Sequence, residues 1–135
     1  MGIEILFKVS DKNTLFNYRG FYSADPGIVS HLEMIGKKFL KGYHTSLSLK
    51  NNDDLCSQLN LDSNDYTGFL YEGASMAKTI LDVISINKKS RLTRFISHPA
   101  GNSHIYMLHV GAGWAFARLP VSIEKKIQQF DSLLR

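Results

Sequence analysis

The sequence predicts an all-α fold, a single compact bundle of about five or six helices within one domain over residues 1–135. Apolar residues recur at spacings of three and four in several segments, which is the pattern of one helical face. Helix start and stop signals separate these segments. No long linker, low-complexity segment or internal repeat divides the chain, and its length suffices for one domain with a core.

Composition excludes several classes of protein. A hydrophobic content of 44% and a charged content of 21% are typical of a globular protein. No apolar run is long enough for a transmembrane helix, and the start has no secretory leader, so we expect a cytoplasmic protein. The single cysteine, Cys56, fits a reducing compartment. The net charge is +4, and the basic residues occur in small groups separated by acidic and apolar residues. The sequence contains no nucleic-acid-binding motif.

The first residues allow two interpretations. Ile3, Ile5, Phe7 and Val9 alternate as in a strand, but Leu6 breaks the polar face. We expect either a short strand or a short extended N-terminal arm docked on the helices.

The clearest predicted helix covers residues 25–49. Asp25 suits the N-cap and Pro26 suits the first helical position. Gly36 and Gly42 fall inside the pattern, where each costs about 1 kcal/mol relative to alanine, so they predict a closely packed partner. The predicted inward face consists of Ile28, Leu32, Ile35, Phe39, Tyr43 and Leu47.

Two further elements follow along the chain. Residues 50–66 are predicted to be a loop with one short helical piece, capped by Asp53 or Asp54. Residues 67–86 are predicted to form a second long helix. The residues expected to face inward are Leu55, Leu59 and Leu61 in the loop, and Phe69, Met76, Ala77, Ile80, Leu81 and Ile84 in the helix.

The last third is predicted to hold a helix over 90–98, a turn over 99–102 and a helix over 103–118. A final amphipathic helix follows. The predicted boundary residues are Ser90 as the first cap, Asn102 or Ser103 as the second, and Pro99 and Pro120 as stops. The apolar residues of the final helix are Ile123, Ile127, Phe130 and Leu134.

Residues 104–120 combine two histidines, the only tryptophan, two glycines and an arginine in an apolar segment. His104 and His109 lie about 140° apart around a helix, so we do not expect them to chelate one metal together. Each is either a hydrogen-bonded core or rim histidine or the partner of a residue on another helix. Gly111 and Gly113 predict that a neighbouring helix or a flat ligand approaches the backbone. The walls for such a ligand would be Tyr106, Met107 and Trp114.

Glu72 is the candidate acid, and it too has two interpretations. A carboxylate near a helix N-terminus is stabilised by the helix dipole. Alternatively, Glu72 points into a pocket with Tyr71 and a histidine, as a metal ligand or general base. No Glu-x-x-His, His-Glu-x-x-His, Gly-x-Ser-x-Gly or P-loop signature occurs, so the sequence assigns no metal or cofactor.

Three blocks carry a family resemblance: Arg-Gly-Phe at 19–21, Gly-Phe-Leu-Tyr-Glu-Gly-Ala-Ser-Met-Ala at 68–77, and the apolar segment at 104–120. They resemble a bacterial family of unknown function found in enediyne and related polyketide gene clusters. The resemblance spans roughly 16–120 and implies that the chain corresponds to the N-terminal half of a longer architecture. The motif positions that it implies are Tyr71, Glu72, His104, His109, Trp114 and Arg118.

Three hypotheses about function follow. The first is an accessory or ligand-binding protein in specialised-metabolite biosynthesis, which holds an apolar small molecule or a carrier-bound intermediate between its helices. The second is an enzyme that uses Glu72 with His104 or His109, with or without a metal. The third is a homodimeric interaction module, in which a second copy supplies the missing half. The ligand-binding residues expected under the first hypothesis are Tyr71, Tyr106, Trp114 and Arg118.

Overall fold

The fold is built of helices alone across residues 7–85 and 90–119, which are the residues that the computed structural model describes. This confirms the predicted all-α class, and the helices predicted near 25–49, 67–86, 90–98 and 103–118 are all present. No helix in the described ranges is both long and apolar enough to cross a membrane. The elements are a short 3-10 helix at Asp11–Thr14, α1 Phe16–Arg19, α2 Pro26–Ser48, α3 Asn52–Leu59, α4 Thr67–Ile84, α5 Arg91–Ser97, α6 Pro99–Asn102 and α7 Ile105–Arg118.

Helix α4 is the centre of the fold. Every residue from 70 to 80 is buried, as expected for a helix that has neighbours on all sides. Helices α2 and α7 pack along it, and α3 and α5 cover another of its faces. The core therefore has two parts. One part is formed by Leu55, Cys56, Leu59, Leu70, Tyr71, Ala74, Leu92, Phe95, Ile96, Leu108 and Ala112, and the other by Tyr43, Leu47, Met76, Ala77, Ile80 and Ala115.

The backbones of α2 and α4 touch at two glycines. A Cβ at Gly42 would collide with the carbonyl group of Leu70, and a Cβ at Gly73 would collide with that of Phe39. Since each helix supplies one glycine, the two axes can approach more closely than side chains would permit. The close partner predicted for Gly42 is thus the α4 backbone.

Helices α4 and α7 meet in the same way. A Cβ at Gly111 would collide with the carbonyl oxygen of Glu72, and the Ser75 hydroxyl donates a hydrogen bond to the carbonyl oxygen of Leu108. The close approach predicted at Gly111 is confirmed. A Cβ at Gly113, on the outer face of α7, would meet no atom of the described residues within 4 Å, so none of the described helices approaches it, and the flat-ligand alternative stays a prediction.

Helix α2 begins as predicted, but its first half is more exposed than its sequence pattern indicated. The Asp25 carboxylate accepts hydrogen bonds from the backbone N–H groups of Gly27 and Ile28, and Pro26 is the first helical residue. Ile28 is 50% exposed and Leu32 is 45% exposed, so the prediction that they face inward is wrong. The buried residues of α2 begin only at position 40, because that is where it packs against α4.

The cap of α3 is Asn51, whose side chain accepts a hydrogen bond from the backbone N–H of Asp54. The prediction that an aspartate caps this helix is therefore wrong, since both acids lie inside its first turn. Leu55 and Leu59 are buried as expected. Leu61 is exposed, because the helix has already ended when the chain reaches it.

Helix α5 is capped by a residue of α4. Ser90 occupies the predicted N-cap position, but its side chain makes no capping hydrogen bond. The Asp82 carboxylate instead accepts from the backbone N–H groups of Arg91 and Leu92. A carboxylate at a helix N-terminus satisfies free N–H groups and complements the dipole, so Asp82 joins the end of α4 to the start of α5.

Residues 99–102 form a helical turn, α6, in place of the expected non-helical turn, and His98 caps it through the backbone N–H of Ala100. Helix α7 then starts after His104, without a side-chain cap from Asn102 or Ser103. It ends at Arg118. Pro120 and the predicted final helix lie outside the described residues.

A matched pair of substitutions tests the α4–α7 contact. Gly111→Ala is expected to lower the free energy of unfolding by about 3 kcal/mol, because its methyl group meets a backbone carbonyl that cannot move freely. Gly113→Ala is expected to raise it by roughly 0.5–1 kcal/mol through helix propensity. Urea unfolding followed by circular dichroism measures both. Equal effects of the two substitutions would contradict the close approach.

Candidate functional site

A pocket of about 340 Å³ lies between the N-terminal segment and helices α2, α4 and α7. Its walls are mostly apolar, with a small number of polar groups, as is usual for small-molecule sites. The described residues that line it are Val9, Asn13, Thr14, Arg19, Ile35, Gly36, Phe39, Leu40, Tyr43, Phe69, Glu72, Met76, Trp114 and Arg118.

Glu72 and Trp114 are hydrogen-bonded to each other in the wall of this pocket. The indole Nε1–H of Trp114 donates to Glu72 Oε1 over 2.9 Å. Glu72 is only 7% exposed, and its burial raises the pKa of its carboxyl, while the hydrogen bond from Trp114 lowers it. Because burial is the larger effect, this carboxyl holds its proton to higher pH than an ordinary glutamate does.

Two arginines also line the pocket. Arg19 is the last residue of α1 and Arg118 is the last residue of α7. The Arg19 guanidinium lies 5.5 Å from the centroid of the Phe21 ring. Neither arginine forms an ion pair with a residue of the described chain. The pocket thus carries two positive charges and one acid whose charged form is disfavoured.

An N-terminal arm closes one side of the pocket. The Tyr43 hydroxyl donates to the carbonyl oxygen of Phe7 over 2.6 Å, and the Val9 N–H donates to Nε2 of His44 over 3.0 Å. Residues 7–10 form neither helix nor strand, so of the two predictions the docked arm is confirmed for this stretch. A smaller pocket of about 250 Å³ adjoins the arm and shares Val9, Tyr43, Met76 and Arg118 with the first.

The His44 imidazole must be neutral at Nε2 to accept the hydrogen bond from Val9. Burial lowers the pKa of His44 most strongly, Asp11 raises it and Lys8 lowers it. Its backbone neighbour Tyr43 packs the edge of its ring on the imidazole, with centroids 5.4 Å apart. The arm is therefore held by a group whose charged form would release it.

Tyr71 and His104 form a second pair, away from the pocket lining. Their rings stack with centroids 4.2 Å apart and an angle of 19° between the planes. Tyr71 is fully buried in the core and donates to the side chain of Asn60. Burial raises the pKa of Tyr71 and lowers that of His104. This arrangement keeps both rings neutral.

The two remaining predicted site residues also lie outside the pocket lining. Tyr106 is 74% exposed, and the buried Nε2 of His109 has no hydrogen-bond partner among the described residues. The structure thus brings Glu72, Trp114 and Arg118 together, and it places Tyr71 with His104 elsewhere. Within residues 7–85 and 90–119, no group of three histidine, cysteine or acidic side chains is placed to hold a metal ion.

Comparison with known proteins gives one result. Residues 3–134 match the model of a family described as "Protein of unknown function (DUF1702)". The chain belongs to the DUF1702 family. No curated protein and no solved structure matches it. Membership confirms the predicted resemblance to a family of unknown function and assigns no reaction.

This DUF1702 chain also contains a hydrogen-bonded cysteine, histidine and aspartate that the sequence did not reveal. Cys56 Sγ lies 3.5 Å from Nδ1 of His98, and Nε2 of the same ring lies 2.8 Å from the Asp53 carboxylate. The order matches a nucleophile, its base and an orienting acid. His98 is 42 positions from Cys56 and 45 positions from Asp53, so the spacing of these residues in the sequence could not indicate the contact.

Two observations indicate that this group has a structural role. The backbone N–H of Ala100 donates to the same Nδ1 over 3.1 Å, so that nitrogen is already used as an acceptor for the helix cap. Cys56 is buried, and burial raises the pKa of its thiol, which keeps the reactive thiolate scarce. His98 is thus best described as the cap of α6, oriented by Asp53.

Replacing the buried acid tests its protonation. Folding raises the pKa of Glu72, so its contribution to stability is present at low pH and is lost as pH rises through the folded-state pKa. Glu72→Gln should therefore raise the melting temperature at about pH 8 and have a smaller effect at about pH 5. Thermal unfolding at both values measures this, with Asp62→Asn as the exposed-carboxylate control. An increase in melting temperature that is the same at both pH values would contradict the raised pKa of Glu72.

The hydrogen bond between the N-terminal arm and His44 predicts a second pH dependence of stability. Here stability is lost as pH falls, whereas for Glu72 it is lost as pH rises. Folding lowers the pKa of His44, so its contribution to stability is present above the unfolded-state pKa and is lost as pH falls through the folded-state value. Between about pH 7 and about pH 5 the wild type should lose more stability than His44→Gln, whose amide oxygen can still accept from Val9. The measurement is the melting temperature of each protein at both pH values. An equal decrease for the two proteins would refute the proposed role of this imidazole.

Proposed function

We propose that this DUF1702 chain binds an apolar small molecule in the 340 Å³ pocket and acts as an accessory or ligand-binding protein. The single observation that carries the proposal is the pocket itself, which combines apolar walls from three helices with a few convergent polar groups.

The biological setting is part of the same proposal. We place the protein in the cytoplasm, in specialised-metabolite biosynthesis of the enediyne-type polyketide class, where it would hold an apolar intermediate, free or carrier-bound. The blocks at 68–77 and 104–120 support this setting through their resemblance. Both blocks contribute to the pocket, through Glu72 in the first and through Trp114 and Arg118 in the second.

An enzyme that uses Glu72 is the second candidate. The observation that favours it is a carboxyl in the pocket wall whose pKa is raised by burial, which is a common feature of catalytic acids and bases. Its expected partner, His104 or His109, is not among the lining residues. This candidate therefore needs Glu72 to act on a bound molecule without those histidines, or with a histidine that a rearrangement brings closer.

A homodimeric module is the third candidate, and exposed apolar side chains favour it. Ile28 and Leu32 lie on one face of α2, and Tyr22 precedes them. Sedimentation of the wild type and of Leu32→Lys over a wide concentration range tests it. Association that the charge abolishes would support the dimer, and a monomeric wild type at all concentrations would remove it.

Trp114 gives a direct test of ligand binding. It is the only tryptophan of the chain, it lines the pocket and it is 54% exposed, so its emission reports on occupancy. Titration with decan-1-ol should give a saturable shift of the emission to shorter wavelength. Ile35→Lys, which places a charge in the pocket wall, should weaken binding about tenfold or more.

The matched control is Leu61→Lys, which adds the same charge at an exposed position outside the pocket. It should bind decan-1-ol as the wild type does. A response that does not saturate, or equal binding by all three proteins, would show that the pocket is not the site.

A further inference from the structure

The charges around the pocket indicate what kind of molecule it selects. We propose that the ligand is an anionic amphiphile, an apolar chain that ends in a carboxylate, with the carboxylate held by Arg118 and Arg19. This inference rests on the proposed function, since it names the ligand class of the same pocket. It concerns the charge of the ligand, which the apolar walls alone do not specify.

Both guanidinium groups are available to a ligand. Arg19 and Arg118 line the pocket, and neither has an acidic partner among the residues that the structure describes. Elsewhere in that part of the chain, the half-buried Arg91 is paired with Asp82 over 3.3 Å. A guanidinium presents several N–H donors in a planar fork that matches a carboxylate.

The single acid among the described lining residues does not neutralise these two arginines. One oxygen of Glu72 accepts the hydrogen bond from Trp114, and burial favours the protonated form of the carboxyl. A protonated carboxyl repels no anion and can donate a hydrogen bond to one. Since the described lining carries two arginines and this one acid, its net charge is positive whether Glu72 is protonated or ionised.

An apolar stripe on α2 can hold the apolar part of the ligand. Ile35 and Phe39 line the pocket at a spacing of four along α2, and Leu32 and Ile28 continue the same stripe outward at spacings of three and four. The outer pair is exposed and has no apolar cover in the described structure. An extended chain anchored in the pocket would lie along this stripe and cover it.

The experiment compares two probes with the same chain and different ends, decanoate and decan-1-ol, both below their aggregation limits. At about pH 8 decanoate is fully ionised, since ordinary carboxyls titrate near pH 4. Trp114 emission gives both dissociation constants. The wild type should prefer decanoate by about tenfold, and the preference should fall as salt screens the arginines.

Substitutions of single arginines test which of them bind the carboxylate of the ligand. Arg118→Gln should weaken decanoate binding about tenfold and affect decan-1-ol far less, and Arg19→Gln serves as the second variant should the first fail to fold. Arg94→Gln removes an exposed arginine of α5 outside the pocket and should leave the preference unchanged. Thermal unfolding of each variant checks that it is folded.

The outcomes separate this inference from the proposed function. Equal affinity of the wild type for the two probes would overturn the anionic ligand and leave an apolar site. Loss of preference in Arg94→Gln as well would also overturn it, because the effect would then come from overall charge. Failure of both probes to bind would overturn the pocket as a binding site.

Discussion

The close approach of the α4 backbone to α2 and α7 is the constraint on which the site depends. Gly42, Gly73 and Gly111 each replace a side chain with the carbonyl group of a neighbouring helix. Contacts of this kind fix rotation as well as distance, because a glycine tolerates the neighbour on one side of the helix only. With α4 fixed from two sides, Glu72 is oriented towards the pocket while Tyr71 is oriented into the core.

The pocket lies beside these contacts, where α2, α4, α7 and the N-terminal segment border one another. Helix α2 has 23 residues and becomes buried only from Leu40 onward, so within the described part of the chain its first half has no helical partner of comparable length. The N-terminal arm and the short helices before α2 cover part of the gap and leave the rest open. The same geometry explains why the pocket walls are apolar and why some apolar side chains of α2 remain in contact with water.

The sequence predicted the helices well and the site in part. Asp25 and Pro26 marked the start of α2, and Gly42 and Gly111 indicated close packing that the structure confirms. Glu72 and Trp114 were each selected, but their hydrogen bond joins residues 42 positions apart and depends on how two helices are rotated. Helical periodicity defines faces and does not say which neighbour each face meets.

The same limit accounts for the residues that sequence reasoning assigned incorrectly or missed. Ile28 and Leu32 follow the periodicity of the inward face of α2, and yet they are exposed. Periodicity does not show where the neighbouring helix ends. The contact between Cys56 and His98 depends on the path of the chain between α3 and α6, for which neither residue carries a local signal. The sequence also contained no sign of the cap formed by Asp82, because this residue lies nine positions before the first residue of the helix that it caps.

That cap has a consequence for the cooperativity of the fold. Helix α5 has only seven residues, and a helix so short has little stability of its own. Its first two N–H groups are bound by a carboxylate that belongs to α4. The two helices should therefore open as one unit, and the amide protons of Arg91 and Leu92 should exchange with solvent as slowly as those at the end of α4. The start of a peripheral helix would then be among the better protected parts of the chain, where fraying would ordinarily be expected.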